Sequence, residues 1–139
     1  MSQAAASSPG VELIQALYRS FAEEGFESFR KLCQPDIEWV QNTGFPNGAT
    51  YHGVEAVIEG VFLGNSRRWE GFGMEASQIL DAGANIVVIG RYRGTHRESG
   101  KTFHADVAHV YDLKDGLVAR FRMFADTKTI WDSLPGTGS

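Results

Sequence analysis

The sequence predicts an α+β fold, with helices at the N-terminal end and an antiparallel sheet after them. Three observations carry this expectation. Apolar residues recur at helical spacing as far as Phe62, whereas from Trp69 onward they run in strand-length segments between tight turns. Sixteen glycines in 139 residues are more than a helical bundle needs and suit a turn-rich sheet. A chain of this length is one domain, and 42% apolar with 22% charged residues excludes a disordered one.

The elements follow in order. Leu13, Leu17, Tyr18 and Phe21, with Ile14 beside them, line one face of a first helix that starts near Val11 and stops at Gly25. Phe26, Phe29 and Leu32 mark a short second helix ending before Pro35. Asp36 to Val40 alternates polar and apolar and reads as a strand, followed by a loop from Asn42 to Gly48. Val54, Val57, Ile58, Val61 and Phe62 return to helical spacing between Gly53 and Leu63. Four strands then form a meander: Trp69 to Leu80, Ile86 to Arg97, Thr102 to Leu113 and Leu117 to Ala125, with a closing helix from Thr127 to Leu134. The domain is expected over 11–135, between a disordered 1–10 tail and a flexible 136–139 end.

Composition excludes several functions. Thirteen Lys and Arg against seventeen Asp and Glu give a net charge of −4, which argues against nucleic-acid binding. No apolar run approaches the ~18 residues of a membrane span, and MSQAAASSPG has neither the basic nor the apolar region of a signal peptide. Cys33 is the one cysteine and reads as a small buried hydrophobe, so a cytoplasmic location is expected. No His, Cys or acid spacing matches a metal motif, and no glycine-rich phosphate loop is present, so neither metal nor cofactor is expected. His52, His96 and the Arg67-Arg68 pair read as solvated.

The second hairpin of the meander has a predictable register. Glu98-Ser99-Gly100 suits a three-residue loop, a type I turn with Gly100 at the left-handed position, which pairs Arg97 with Lys101. Gly94 then lies opposite His104, Tyr92 opposite Asp106 and Gly90 opposite Ala108. In that register Val88, Tyr92, His104, Asp106 and Val110 share one face. Ile89, Arg91, Arg93, Phe103, Val107, His109 and Tyr111 share the other. Both faces are substantially apolar, so helices should cover one and a second copy part of the other, as in a homodimer through the sheet.

Several motifs together resemble the SnoaL-like, ketosteroid-isomerase-related branch of the nuclear-transport-factor-two-like (cone-fold) superfamily. They are Leu17-Tyr18-Arg19-Ser20-Phe21 with Gly25, Pro35-Asp36-Ile37-Glu38-Trp39, Tyr51-His52-Gly53-Val54-Glu55-Ala56-Val57, Gly90-Arg91-Tyr92-Arg93-Gly94-Thr95, His109-Val110-Tyr111, and Asp115 to Arg122 running on to Asp126. The resemblance implies helices packed in a curved, mostly antiparallel sheet of four to six strands around an apolar cavity. It does not choose a function, because the fold hosts isomerases, cyclases, hydrolases and non-catalytic modules.

Three chemistries can be tested on the residues. Against ketosteroid isomerase, Tyr18 matches the tyrosine, but the base position falls on Gln41 (or Asn42) and the protonated-acid position on Ala108. An amide takes no proton and alanine donates no hydrogen bond, so that constellation is incomplete. Against limonene-epoxide-hydrolase-like members, Asp126 matches the final carboxylate and Arg91 could match the arginine, but Arg93 stands at the other acid position unless Asp106 substitutes. Asp126 could equally cap the closing helix. For SnoaL-type cyclases, His104 and Asp106, two apart on one strand, could form an acid–base pair. The expectation is a pocket for a compact apolar or polycyclic molecule, walled by Trp39, Tyr18, Phe62, Trp69, Tyr92 and Phe124. Gln41, His104, Asp106 and Asp126 are its polar anchors, and His109 is a further contact. Any catalysis would be cofactor-free proton transfer, with Asp106 or Asp126 as base and His104 or Tyr18 donating to an oxyanion. A non-catalytic binding or dimerisation module is the alternative.

Overall fold

The computed structural model describes residues 8–46 and 48–135. Helix α1 spans Pro9–Ser20; Ser8 caps it by accepting the Val11 N–H at 3.2 Å, and Pro9 stands at its first turn, where no backbone N–H is needed. It therefore begins two residues inside the expected tail; residues 1–7 and 136–139 lie outside the described residues. Val11, Ile14 and Leu17 form its buried face. Gly25, at φ 81°, sits in a short 3₁₀ turn (Glu24–Phe26) ahead of α2, Glu27–Leu32. Strand β1, Cys33–Val40, follows without a loop, and β2, Thr50–His52, lies in a segment with no strand signal of its own. The next helix outruns its expected end at Leu63. It is a continuous run of α3 (Val54–Val57), a π-helical turn (Ile58–Leu63) and α4 (Gly64–Arg68).

Strands β3 (Trp69–Asp81), β4 (Ile86–His96), β5 (Thr102–Lys114) and β6 (Leu117–Ala125) form the expected meander, and α5 (Thr127–Trp131) closes the chain. The six strands make one curved, unclosed sheet in the order β2-β1-β6-β5-β4-β3, with β1 parallel to β6 and the other pairs antiparallel. Its inner face packs on the helices through Ile37, Trp39, Trp69, Val88, Tyr111 and Phe121, all nearly inaccessible to water. Trp39 stacks on Phe121 across the parallel pair, with ring centroids 3.8 Å apart. No helix among the described residues is long and apolar enough to cross a membrane.

The β4–β5 register differs from expectation by one residue. Thr95 pairs with Thr102, and the pairing continues through Tyr92–Ala105, Arg91–Asp106, Gly90–Val107 and Ile89–Ala108. The cause lies at the turn. The His96 N–H donates to Lys101 O at 2.9 Å, leaving a four-residue loop, and the buried His96 ring accepts the Glu98 and Ser99 N–H groups at Nδ1. His96 is thus a turn-holding side chain rather than a solvated one. A one-residue shift turns every β5 side chain over relative to β4. Tyr92 and Val88 share the inner face with Phe103, Val107, His109 and Tyr111, while His104, Asp106 and Val110 go outward with Ile89 and Arg91.

Candidate functional site

At the centre of the inner face, a buried histidine is held between two tyrosines. The Tyr18 hydroxyl from α1 lies 2.6 Å from His109 Nδ1, and the Tyr92 hydroxyl from β4 lies 2.7 Å from His109 Nε2. Tyr111, two residues beyond His109 on β5, donates its hydroxyl to Tyr18 Oη at 3.0 Å. Burial alone pushes the imidazole from 6.5 down to about 3, so His109 is neutral at physiological pH. Burial, the leading cause at all three, also raises the tyrosine hydroxyls, which stay protonated.

Three hydroxyls and one neutral imidazole carry four protons, yet they share three contacts, so one proton has no acceptor among the described residues. With Tyr111 donating to Tyr18, two arrangements remain. If Tyr18 donates to Nδ1, then Nε2–H donates to Tyr92 and the Tyr92 O–H is left over. If Nδ1–H donates to Tyr18, then Tyr92 donates to Nε2 and the Tyr18 O–H is left over. Both tyrosines line the same pocket, of about 530 Å³.

The pocket is walled mainly by aromatics. Phe62, on the π-helical turn, packs among Phe21, Phe26, Phe29 and Trp39 with ring centroids 4.9–5.6 Å away. Trp39, Gln41, Trp69 and Phe121 complete the wall from the sheet side. Gln41 is 3% exposed and accepts the Trp39 indole N–H at 3.0 Å. The Trp69 indole N–H is buried with no hydrogen-bond partner among the described residues. Cys33 lies elsewhere in the core, its thiol pushed up to about 12 by burial. Among the described residues, no three His, Cys, Asp or Glu side chains gather as a metal site would require.

A family model for the SnoaL-like domain matches residues 14–121, well over half the chain. This chain belongs to the SnoaL-like family. Its fold is the nuclear-transport-factor-two-like cone. A protein of that fold from Burkholderia thailandensis superposes with a TM-score of 0.85 at 28% identity, over 91% of this chain and 97% of that one. TerC, co-crystallised with polyporic acid, gives 0.80 at 27% identity over 91% and 98%. A candidate SnoaL-like polyketide cyclase from Jannaschia gives 0.79 at 18% identity over 98% of each chain. No curated protein sequence matches this one.

Within this SnoaL-like cone, Tyr18, Trp39, Gln41, Phe62, Trp69, Tyr92 and His109 all border the inner pocket. Four other expected site residues do not. His104 and Asp106 are solvent-facing on the outer side, where Asp106 pairs with Arg91 at 3.5 Å, because the register places them opposite Arg93 and Arg91. Phe124 is 51% exposed on the same outer face, three residues and therefore half a pleat out of phase with Phe121. Asp126 caps α5, its carboxylate accepting the Thr129 N–H at 3.2 Å and the Thr129 hydroxyl at 2.6 Å; these bonds hold its pKa down. Ala108 also faces outward, opposite Phe124, so the polar contribution of β5 comes from its neighbour His109. Tyr111 had no place among the expected site residues. Its signal was present as the His109–Tyr111 spacing of two on an otherwise apolar strand face.

Proposed function

We propose that this protein binds a compact aromatic or polycyclic compound bearing an oxygen acceptor in the inner pocket, and transfers protons on it without a cofactor. The observation that carries this reading is the leftover proton of the Tyr111–Tyr18–His109–Tyr92 chain. A hydroxyl donor at an aromatic wall polarises a ligand oxygen and stabilises negative charge developing there.

The two arrangements also interconvert by a balanced proton shift. Tyr92 gives its proton to one ligand atom and takes Nε2–H from His109. Nδ1 takes the Tyr18 proton, and Tyr18 Oη takes a proton from a second ligand atom. The net change moves one proton between two ligand positions, and His109 never becomes the imidazolium that burial disfavours. TerC with polyporic acid supports a small molecule as occupant of this fold.

The test is a thermal-shift panel of ketosteroids, anthraquinone-type polyketides and terpene epoxides, followed by solvent-deuterium exchange into each compound that binds. Exchange with the wild type and its loss in Tyr92→Phe is the expected result. Binding without exchange favours the second reading, a non-catalytic binding module, which the absence of Asp and Glu from the pocket lining supports. If no compound binds, both readings fail. We further read the outer sheet face as a homodimer contact, and the single buried thiol as suited to a reducing cytoplasm.

A further inference from the structure

The pocket has a charge pattern that its aromatic wall does not require. The chain carries 17 Asp and Glu, yet none of them lines the pocket, whereas Arg97 does, and so does Arg93, which leaves β4 on the outer side opposite His104 and reaches the pocket where its guanidinium crosses β3 at Gly71. Arg30, Arg67, Arg91, Arg120 and Arg122 all form ion pairs. Arg93 and Arg97 have no carboxylate within 4.0 Å among the described residues, although Glu98 adjoins Arg97 in sequence. Each is held instead by a backbone carbonyl: Arg93 Nη1 donates to Gly71 O at 2.8 Å, and Arg97 Nε to Ser66 O at 3.0 Å. A carbonyl orients a guanidinium without neutralising it.

Two further groups at this end lack acceptors. The Arg97 N–H donates to Arg68 O at 3.0 Å, which ties the end of α4 to β4. The Arg68 guanidinium lies 5.6 Å from the Trp69 ring centre, and its Nη1 is buried with no hydrogen-bond partner among the described residues. The Trp69 indole N–H, fully buried on the pocket wall, is equally unpartnered. Arg93, Arg97 and the unpartnered Trp69 N–H therefore line an aromatic pocket that has no carboxylate in its wall, and Arg68 adds its charge against the Trp69 ring. An uncompensated cationic rim on an apolar cleft attracts an anion and disfavours a cation.

We infer that the ligand of this pocket is an aromatic anion, a carboxylate, enolate or phenolate on a ring frame, with its negative oxygen toward Arg93 and Arg97. This rests on the inner pocket being the ligand site. The experiment is calorimetric titration of the full chain at neutral pH with lawsone, a hydroxynaphthoquinone ionised under those conditions, and with its neutral methyl ether. The wild type should bind lawsone about threefold to tenfold more tightly at low salt, the range between an exposed ion pair and a charge-assisted hydrogen bond. That preference should shrink at about 0.5 M NaCl and vanish in Arg93→Gln/Arg97→Gln. Equal wild-type affinity for the two compounds, or a preference that survives in the double variant, overturns the inference and leaves the pocket reading intact. Where the double variant loses the ether too, the wild-type salt series decides, and a salt-independent preference overturns it. Binding of neither compound overturns the pocket reading, and this inference with it.

Discussion

Tyr18 and His109, 91 residues apart in sequence, meet with Tyr18 Oη 2.6 Å from His109 Nδ1, and this contact joins helix α1 to the centre of the sheet. Tyr18 serves two partners there, because it also accepts from Tyr111, whereas Tyr92 serves His109 alone. Tyr18→Phe leaves two buried polar groups unpaired, and Tyr92→Phe leaves one. The expected destabilisations are about 2–3 kcal/mol and about 1–2 kcal/mol respectively, in that order, by urea unfolding. A larger loss for Tyr92→Phe would contradict the hydrogen-bond chain as described.

The buried imidazole makes stability depend on pH. In the unfolded chain His109 titrates near its ordinary value of 6.5, and in the folded protein it is held to about 3. Between those values the unfolded state carries a proton that the folded state refuses, so stability is full above about 6.5 and falls as pH drops toward 3. The total is of order a few kcal/mol. His109→Gln, which keeps a donor and an acceptor but does not titrate, should show a shallower decline between these limits than the wild type. Parallel pH profiles would exclude His109 as the source.

Much of the fold was legible because local signals and tertiary structure agree. The Ile14–Leu17–Phe21 spacing and the tight turns between strands mark elements that the structure repeats, whereas the Ser8-Pro9 helix start fell inside the expected tail. The site was less legible, for a reason located at one turn. His96 and Ser99 side chains hold a four-residue loop, and nothing in Glu98-Ser99-Gly100 discloses that the histidine before it points inward. One residue of register then sends His104 and Asp106 outward and puts His109 at the pocket, with Tyr111 behind it on the inner face. Phe124 was decidable from parity alone, since residues three apart on an unbroken strand cannot share a face with Phe121. The Tyr18–His109 contact had no local signal, because it depends on how α1 crosses the sheet.

Asp126 offers a test that separates capping from chemistry. Its carboxylate binds the Thr129 N–H and hydroxyl at the start of α5, and both bonds lower its pKa. Asp126→Asn retains an acceptor oxygen and should be close to wild type in stability, while Asp126→Ala should unfold at lower denaturant. Neither should alter binding to the inner pocket, which Asp126 does not line. A binding defect in Asp126→Asn, measured by calorimetry, would return this residue to the site.

The outer face makes the last prediction. Ile89, Ala108 and Phe124 lie opposite one another across β4, β5 and β6, and Leu80, Val87 and Val110 form a second row on the same face. Leu80, Ile89 and Phe124 are 46%, 37% and 51% exposed, a contiguous apolar stripe that a lone sheet would leave in water. The homodimer reading requires this stripe to be the contact. By sedimentation the wild type should run as a dimer and Phe124→Glu as a folded monomer, because a carboxylate within the stripe is buried without a partner when two copies meet. Since Phe124 points away from Tyr18, His109 and Tyr92, the monomer should keep its ligand affinity. A wild type that sediments as a monomer, or a Phe124→Glu variant that stays dimeric, would place the contact elsewhere or remove it.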